Sequence, residues 1–200
     1  MTSLHIDDGN AQETAKYEEI WQIEDYREAD SPGLFNVSRF CEILDPKVGE
    51  SLIDVGCGSG KAGIAFEQCG LNVYWTDIVD TALDPLVPRK KFIKRPLWWS
   101  WGQSYFDYGF CCDVMEHIPP EYTMLCLDRI VSHCGISYFQ IALREDKFGQ
   151  MIGEPLHLTV RPFEWWLVRL QTLGNVMDAR DLCDDGLFIV KSRVLEREYD

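Results

Sequence analysis

Between Glu50 and Gly63 the chain reads ESLIDVGCGSGKAG, with four glycines in its last eight residues directly after an apolar run. Glycine is favoured where the backbone must adopt positive φ or where something has to approach it closely. A strand that breaks into such a loop and then enters a helix aims backbone N–H groups at a nucleotide-like ligand. Asp77, in the run NVYWTDI, adds a carboxylate able to accept from two neighbouring hydroxyls at once. A second chemistry-bearing group follows in YGFCCDVMEHIPPEY, Tyr108 to Tyr122, where Asp113, Glu116 and His117 stand close together. His157, in GEPLHLTVRPFEWW, brings another imidazole. Carboxylates and imidazoles take and give protons, and an imidazole does so near neutrality, so His157, His117, Asp113 and Glu116 are the candidate catalytic groups.

Two ligands fit the glycine loop. Read from Gly58, GSGKAG matches the dinucleotide pattern G-x-G-x-x-G, with Asp77 about 20 residues after its first glycine. Read from Asp54, DVGCGSG is an acidic strand end followed by G-x-G-x-G. No Walker A motif is present, since Lys61 follows that loop and precedes Ala62.

LIDVGCGSG resembles the first motif of the class I S-adenosylmethionine-dependent methyltransferases. DVMEHIP is similar to a fourth-strand segment of many small-molecule members of that family, a stretch that a nicotinamide dehydrogenase gives no reason to expect. The resemblance runs from about Gly49 to Val194 and implies S-adenosyl-L-methionine as cofactor. It places cofactor contacts at Asp54, Gly56, Cys57, Gly58, Gly60, Asp77, Ile78, Asp113 and Val114, with Asp77 taking the ribose hydroxyls. Where many relatives hold the adenine amino group with an acidic residue, this chain has KRPLWW, so backbone near Pro96 and Leu97 takes that place, with Leu97 or Trp98 against the adenine. The family often lays an N-terminal helix over the cofactor, which makes Tyr17, Trp21, Tyr26 and Arg27 candidate lid residues. An aromatic face near a sulfonium gains from cation–π attraction; packing of the helix on the core is the alternative reading of Tyr17 and Trp21.

Methyl transfer is an in-line displacement, so the protein must align two reactants and exclude water rather than supply a nucleophile. The acceptor is narrowed by absences: no D/N-P-P-Y/F/W follows the fourth strand, and no Pro-Cys pair offers the nucleophile that cytosine C5 chemistry requires. A net charge of −14 also argues against duplex DNA. The expected acceptor is an oxygen or nitrogen of a small molecule or nucleotide. PRKKFIKRP, Pro88 to Pro96, carries five basic residues and is either a solvated strand edge or the grip of an anionic acceptor. The alternatives are a nucleic-acid-modifying methyltransferase using that stretch and exposed Trp rings, and a non-catalytic partner that keeps the fold to support another subunit.

These residues need a scaffold. The 200 residues, 46% hydrophobic, suit one domain with a proper core. No apolar run reaches the roughly 20 residues that cross a bilayer, and the N-terminus lacks a basic-then-apolar signal pattern, so a cytoplasmic protein with no membrane partner is expected. The eight cysteines form no C-x-x-C pair and read as free thiols; the four histidines show no zinc spacing, so no metal site is expected. Residues 1–12 are polar and expected to be mobile, and 13–45 to form a helical lid or cap, with one helix over about 13–27, a break at SPG (31–33) and a second helix over 36–44. Strands are predicted at 51–55, 72–78, about 91–93, 106–114, 135–143, 176–181 and 187–194, with helices over 61–69, 121–134 and 161–174. Trp165 is placed in the core. Strands alternating with helices predict an α/β, Rossmann-like open sheet of about seven strands, mostly parallel with an antiparallel last strand, and helices on both faces.

Overall fold

A computed structural model describes residues 6–29 and 31–193. Its seven strands are β1 (Ser51–Val55), β2 (Asn72–Asp77), β3 (Phe92–Lys94), β4 (Phe106–Cys112), β5 (Cys134–Ala142), β6 (Gly174–Asp181) and β7 (Asp185–Ser192). They form one sheet in the order β3-β2-β1-β4-β5-β7-β6. The pairings from β3 to β5 are parallel, and β7 runs antiparallel to both of its neighbours. This is the predicted Rossmann-like sheet. The last predicted strand ends at residue 194, which lies outside the described residues.

Six α-helices lie among the described residues: α1 (Ile6–Ile20), α2 (Glu24–Glu28), α3 (Pro32–Leu44), α4 (Lys61–Gln68), α5 (Pro120–His133) and α6 (Phe163–Leu173). Alternation along each strand feeds two cores. Ile53, Phe139, Phe188 and Trp166 share one cluster, against which α5 and α6 pack. Leu52, Trp75, Phe110 and Tyr138 share the other, beneath α3 and α4. Each large apolar side chain buried this way contributes about 2 kcal/mol.

Of the stretch 1–12 expected to be mobile, residues 1–5 lie outside the described residues, and from Ile6 the chain is helical. Three local expectations are corrected. The single helix expected over 13–27 is broken: α1 stops at the fully buried Ile20, residues 21–23 turn, and the short α2 follows. SPG does not interrupt a helix but begins one, because Pro32 at the first helical position loses only an N–H that would have no partner anyway. In α6 it is Trp166 that is fully buried, whereas Trp165 is half-buried under the Arg169 guanidinium, 3.3 Å from its ring centre. Gly174 does end α6, although not through a left-handed turn: a Cβ there would sit 2.5 Å from Val190 Cγ1. All eight cysteines are free, and no helix among the described residues is long and apolar enough to cross a membrane.

Candidate active site

β1 has β2 on one side and β4 on the other, so the order of winding reverses between β1 and β4. Open α/β sheets bind ligands at the carboxyl ends of the strands flanking such a point. The two loops that leave β1 and β4 meet there without spare room. Gly56 has φ 64°, and a Cβ on it would lie 2.6 Å from both Val114 methyl groups. Gly58 has φ 53°, and its Cβ would come within 3.0 Å of the Trp21 ring.

Asp77 ties the loop to the end of β2. Its Oδ2 accepts from the Gly58 N–H at 2.8 Å and its Oδ1 from the Val79 N–H at 3.1 Å. Burial raises its pKa, opposed by those amides, the Ile78 N–H and the charge of Lys94. Asp54, at the end of β1, accepts from the Gly63 N–H of α4 at 3.0 Å. Burial pushes its pKa up to about 7, with the Gly63 bond pulling the other way.

A carboxyl that ionises less readily folded than unfolded contributes stability at pH values below its ordinary pKa of 3.8, and loses it as pH rises through about 7. The Asp54→Asn variant keeps an acceptor for Gly63 without that titration. Between about pH 5 and pH 8 its stability relative to the wild type is therefore expected to improve by up to about 3 kcal/mol, several degrees in Tm. Thermal melts at the two pH values check this; a difference that does not change with pH refutes the buried, neutral Asp54.

The opposite wall is built by the turn after β4. Asp113 sits at φ 60°, a left-handed conformation rare outside glycine and asparagine-like residues, and Met115–His117 form a 3-10 turn. Glu116 is fully buried. Its Oε1 accepts from the Ala142 N–H at 2.7 Å, and its carbonyl accepts from both Leu158 and Thr159 N–H at 2.8 Å. Glu116 thereby fastens the loop after β5, which carries His157, to the loop after β4. His157 Nδ1–H donates to the Arg144 carbonyl at 2.6 Å. His117 Nδ1 shares a 2.7 Å hydrogen bond with the Tyr17 hydroxyl. Burial lowers the His117 pKa to about 4, so the ring is neutral at physiological pH; burial likewise holds the Tyr17 phenol protonated. The His117 and His157 ring centres are 4.6 Å apart. Asp113, Glu116, His117 and His157 each place one donor atom within 4.8 Å of the others, a convergence their sequence spacing does not reveal.

These groups enclose a cavity of about 710 Å³. Tyr17, Trp21, Arg27, Asp54, Gly56, Cys57, Gly58, Asp77, Ile78, Leu97, Asp113, Val114, His117 and His157 all line it. Gly60 and Glu116, predicted to belong to the site, do not. Gly60 turns the chain into α4 at φ 76°, accepts from Trp75 Nε1–H at 3.2 Å, and faces Val87, 2.5 Å from where its Cβ would be. Glu116 acts from behind the wall, through the bonds above. Sequence reasoning missed Arg144, Asp146, Phe148 and Leu156, which also line the cavity. Asp146 organises their loop by accepting from the N–H groups of Gly149, Leu156 and His157. The acidic residue just after a strand in ALRED was the one available signal. Trp21, Tyr26 and Phe148 meet edge-to-face at 4.8 and 5.4 Å, so an aromatic chain joins the N-terminal segment to the loop after β5.

A family model described as "Methyltransferase domain" matches residues 34–185. No curated protein matches the sequence. Among solved structures, the chain is similar to Burkholderia thailandensis 1,6-didemethyltoxoflavin-N1-methyltransferase with bound 1,6-didemethyltoxoflavin and S-adenosylhomocysteine, at TM-score 0.67 and 15% identity, covering 96% of this chain and 92% of that one. It is similar to magnesium protoporphyrin IX methyltransferase from Synechocystis with bound SAM, at TM-score 0.67 and 15% identity, covering 96% of this chain and 100% of that one. The N-methyltransferase NodS from Bradyrhizobium japonicum, in complex with S-adenosylhomocysteine, follows at TM-score 0.66 and 14% identity, covering 90% and 98%. At such identities the likeness is one of fold.

Proposed function

Because the chain belongs to the methyltransferase-domain family, we propose that it transfers a methyl group from S-adenosyl-L-methionine to an oxygen or nitrogen of a small molecule or nucleotide. The observation that carries this reading is that the Gly56–Gly58 cradle, the Asp77 carboxylate and the Tyr17–His117 pair all face one cavity. The residues fit the cofactor: a Cβ would fill the cradle, the carboxylate suits a pair of ribose hydroxyls, and about 710 Å³ lies within the usual range for a ligand of that size. The solved structures of similar fold that hold S-adenosylmethionine or its demethylated product support the same choice.

When bound, the cofactor supplies a methyl carbon already activated by a positive sulfonium, so no covalent intermediate on the protein is required. The chain's own residues align and enclose. Gly56 and Gly58 would let the backbone approach it, Asp77 would take the ribose hydroxyls, and Leu97 or Trp98 would lie against the adenine; all five residues line the cavity. Trp21 and Tyr26 shut the N-terminal side against water and offer aromatic faces to a cation. His117, held neutral by its surroundings, takes the proton of the acceptor, and its bond to Tyr17 fixes the ring.

Four of the five basic residues in the stretch 88–96 have partners within the fold, and Lys90 is exposed. Arg89 and Lys94 pair with Asp80 at 3.1 and 2.9 Å, and Lys91 pairs with Glu67 at 2.8 Å. Arg95 lies over the Trp101 ring, 5.4 Å from its centre. These pairings support a small molecule or nucleotide over a polymer as the acceptor. Calorimetric titration of the purified chain with S-adenosylhomocysteine, with reduced nicotinamide cofactor as the control, tests the reading. Micromolar binding of the first alone is expected; binding of the second, or of neither, overturns it.

A further inference from the structure

We propose that Asp113, Glu116, His117 and His157 hold a divalent first-row metal ion, open toward the cavity, which receives an oxygen of the methyl acceptor. Metal binding stands on the geometry alone; the role toward the acceptor rests on the methyl-transfer reading. The four donor atoms already lie within 4.8 Å of one another. They come from two loops that the buried Glu116 locks together.

The second Glu116 oxygen, Oε2, is fully buried and has no hydrogen-bond partner among the described residues. A buried carboxylate oxygen without a donor is costly, and beside a second carboxylate the deficit is one of positive charge. Only a cation or a shared proton can supply it. The histidines favour the cation. Each ring has its Nδ1 engaged, His157 with the Arg144 carbonyl and His117 with the Tyr17 hydroxyl, and no partner at Nε2 among the described residues. An outer partner on one imidazole nitrogen, with the other bare, is how metal-ligating histidines are oriented and made more basic. The Ala142 N–H does the same service for Glu116.

Two carboxylates and two imidazole nitrogens make a donor set whose charge matches a divalent ion. A mixed nitrogen and oxygen set selects Mn²⁺, Co²⁺ or Zn²⁺ over Mg²⁺ and Ca²⁺. Three of the four residues line the cavity and Glu116 stands behind them, so any further coordination position opens inward. With the ion bound, His117 is a ligand and no longer the base: an acceptor hydroxyl on the ion releases its proton to solvent water, its oxygen forms the bond to the methyl carbon as the C–S bond breaks, and that electron pair stays on sulfur. That chooses oxygen over nitrogen as the methylated atom and a hydroxylated acceptor as the substrate class.

The test uses the full chain, treated with EDTA and then freed of chelator, titrated with Mn²⁺ while electron paramagnetic resonance counts the free ion. One ion per chain at micromolar Kd is expected, displaced by Zn²⁺, with spin-echo modulation from two imidazole nitrogens. His157→Gln and Asp113→Asn should each weaken uptake at least about a hundredfold, more than an outer-sphere change would. No stoichiometric uptake, no nitrogen coupling, or uptake by either variant as tight as that of the unchanged chain overturns the site and leaves the shared proton. Titration of the EDTA-treated chain with S-adenosylhomocysteine runs in parallel. Cofactor binding without metal uptake sinks only the metal; metal uptake without cofactor binding sinks only the methyl-transfer reading.

Discussion

Asp77→Ala is expected to weaken S-adenosylhomocysteine binding by about a hundredfold or more while the chain stays folded. A hydrogen bond to a charged acceptor is worth about 1.5–3 kcal/mol, and each 1.4 kcal/mol is a factor of ten. Two ribose hydroxyls on one carboxylate, as proposed for Asp77, would therefore account for at least about two orders of magnitude. The fold should lose much less. The carboxylate now holds the N–H groups of Gly58 and Val79, and Gly58 and Asp77 both line the open cavity, from which water can replace the lost carboxylate. Burial also makes the Asp77 charge unfavourable, so its deletion returns part of what the two bonds contribute. Asp77→Asn keeps one side-chain acceptor and should fall between the two. Calorimetry for affinity and thermal melting for stability separate the outcomes. Unchanged affinity with a lowered Tm would make Asp77 a loop-holding residue and nothing more.

What the sequence disclosed and what it hid follow one physical division. The glycine loop, Asp77 and the Asp113–His117 turn were readable because strand, loop and helix onset are contiguous, and each local choice agrees with the fold. The seven strands were readable for the same reason, with boundaries displaced by a residue or two. Closure of the site was not readable. Tyr17 meets His117 across 100 positions, and the Glu116 carboxylate reaches Ala142 across 26. Helical spacing ran on through Trp21, so nothing local marked the turn at 21–23 that places that ring over Gly58. Gly58 and Gly60 look equivalent in sequence and share positive φ. Only the packing of Val87 and Trp75 against Gly60 decides that one faces the ligand space and the other the core. The basic stretch was ambiguous because its counter-charges, Asp80 and Glu67, come from elsewhere in the fold.

Gly63→Ala pits such a hidden contact against a local rule. Gly63 lies inside α4, at a φ that any residue can adopt, and there alanine is favoured over glycine by about 1 kcal/mol. Local propensity alone predicts a stabilised protein. The structure predicts the reverse, since a Cβ on Gly63 would lie 2.0 Å from Trp75 Nε1 and 2.5 Å from its Cε2. Trp75 cannot yield cheaply: it is fully buried, and its Nε1–H is bonded to the Gly60 carbonyl. Either α4 lifts from β2 or the indole leaves its rotamer and its bond, and overpacking of that kind costs about 3 kcal/mol or more. Tm should fall by about 10 °C, and cofactor affinity with it, because α4 begins at the glycine loop and supplies the Gly63 N–H to Asp54. Gly33→Ala is the matched control, since its Cβ would meet Ala62 and Phe110 at ordinary distances of 3.4 and 3.6 Å. It should be neutral or slightly stabilising. In the Trp75→Phe background the Gly63→Ala penalty should shrink, because the atom met first, Nε1, is gone. A Gly63→Ala protein as stable as the Gly33→Ala one would mean that α4 and β2 are free to move apart, and that the loop between β1 and α4 is not the rigid cradle on which the site depends.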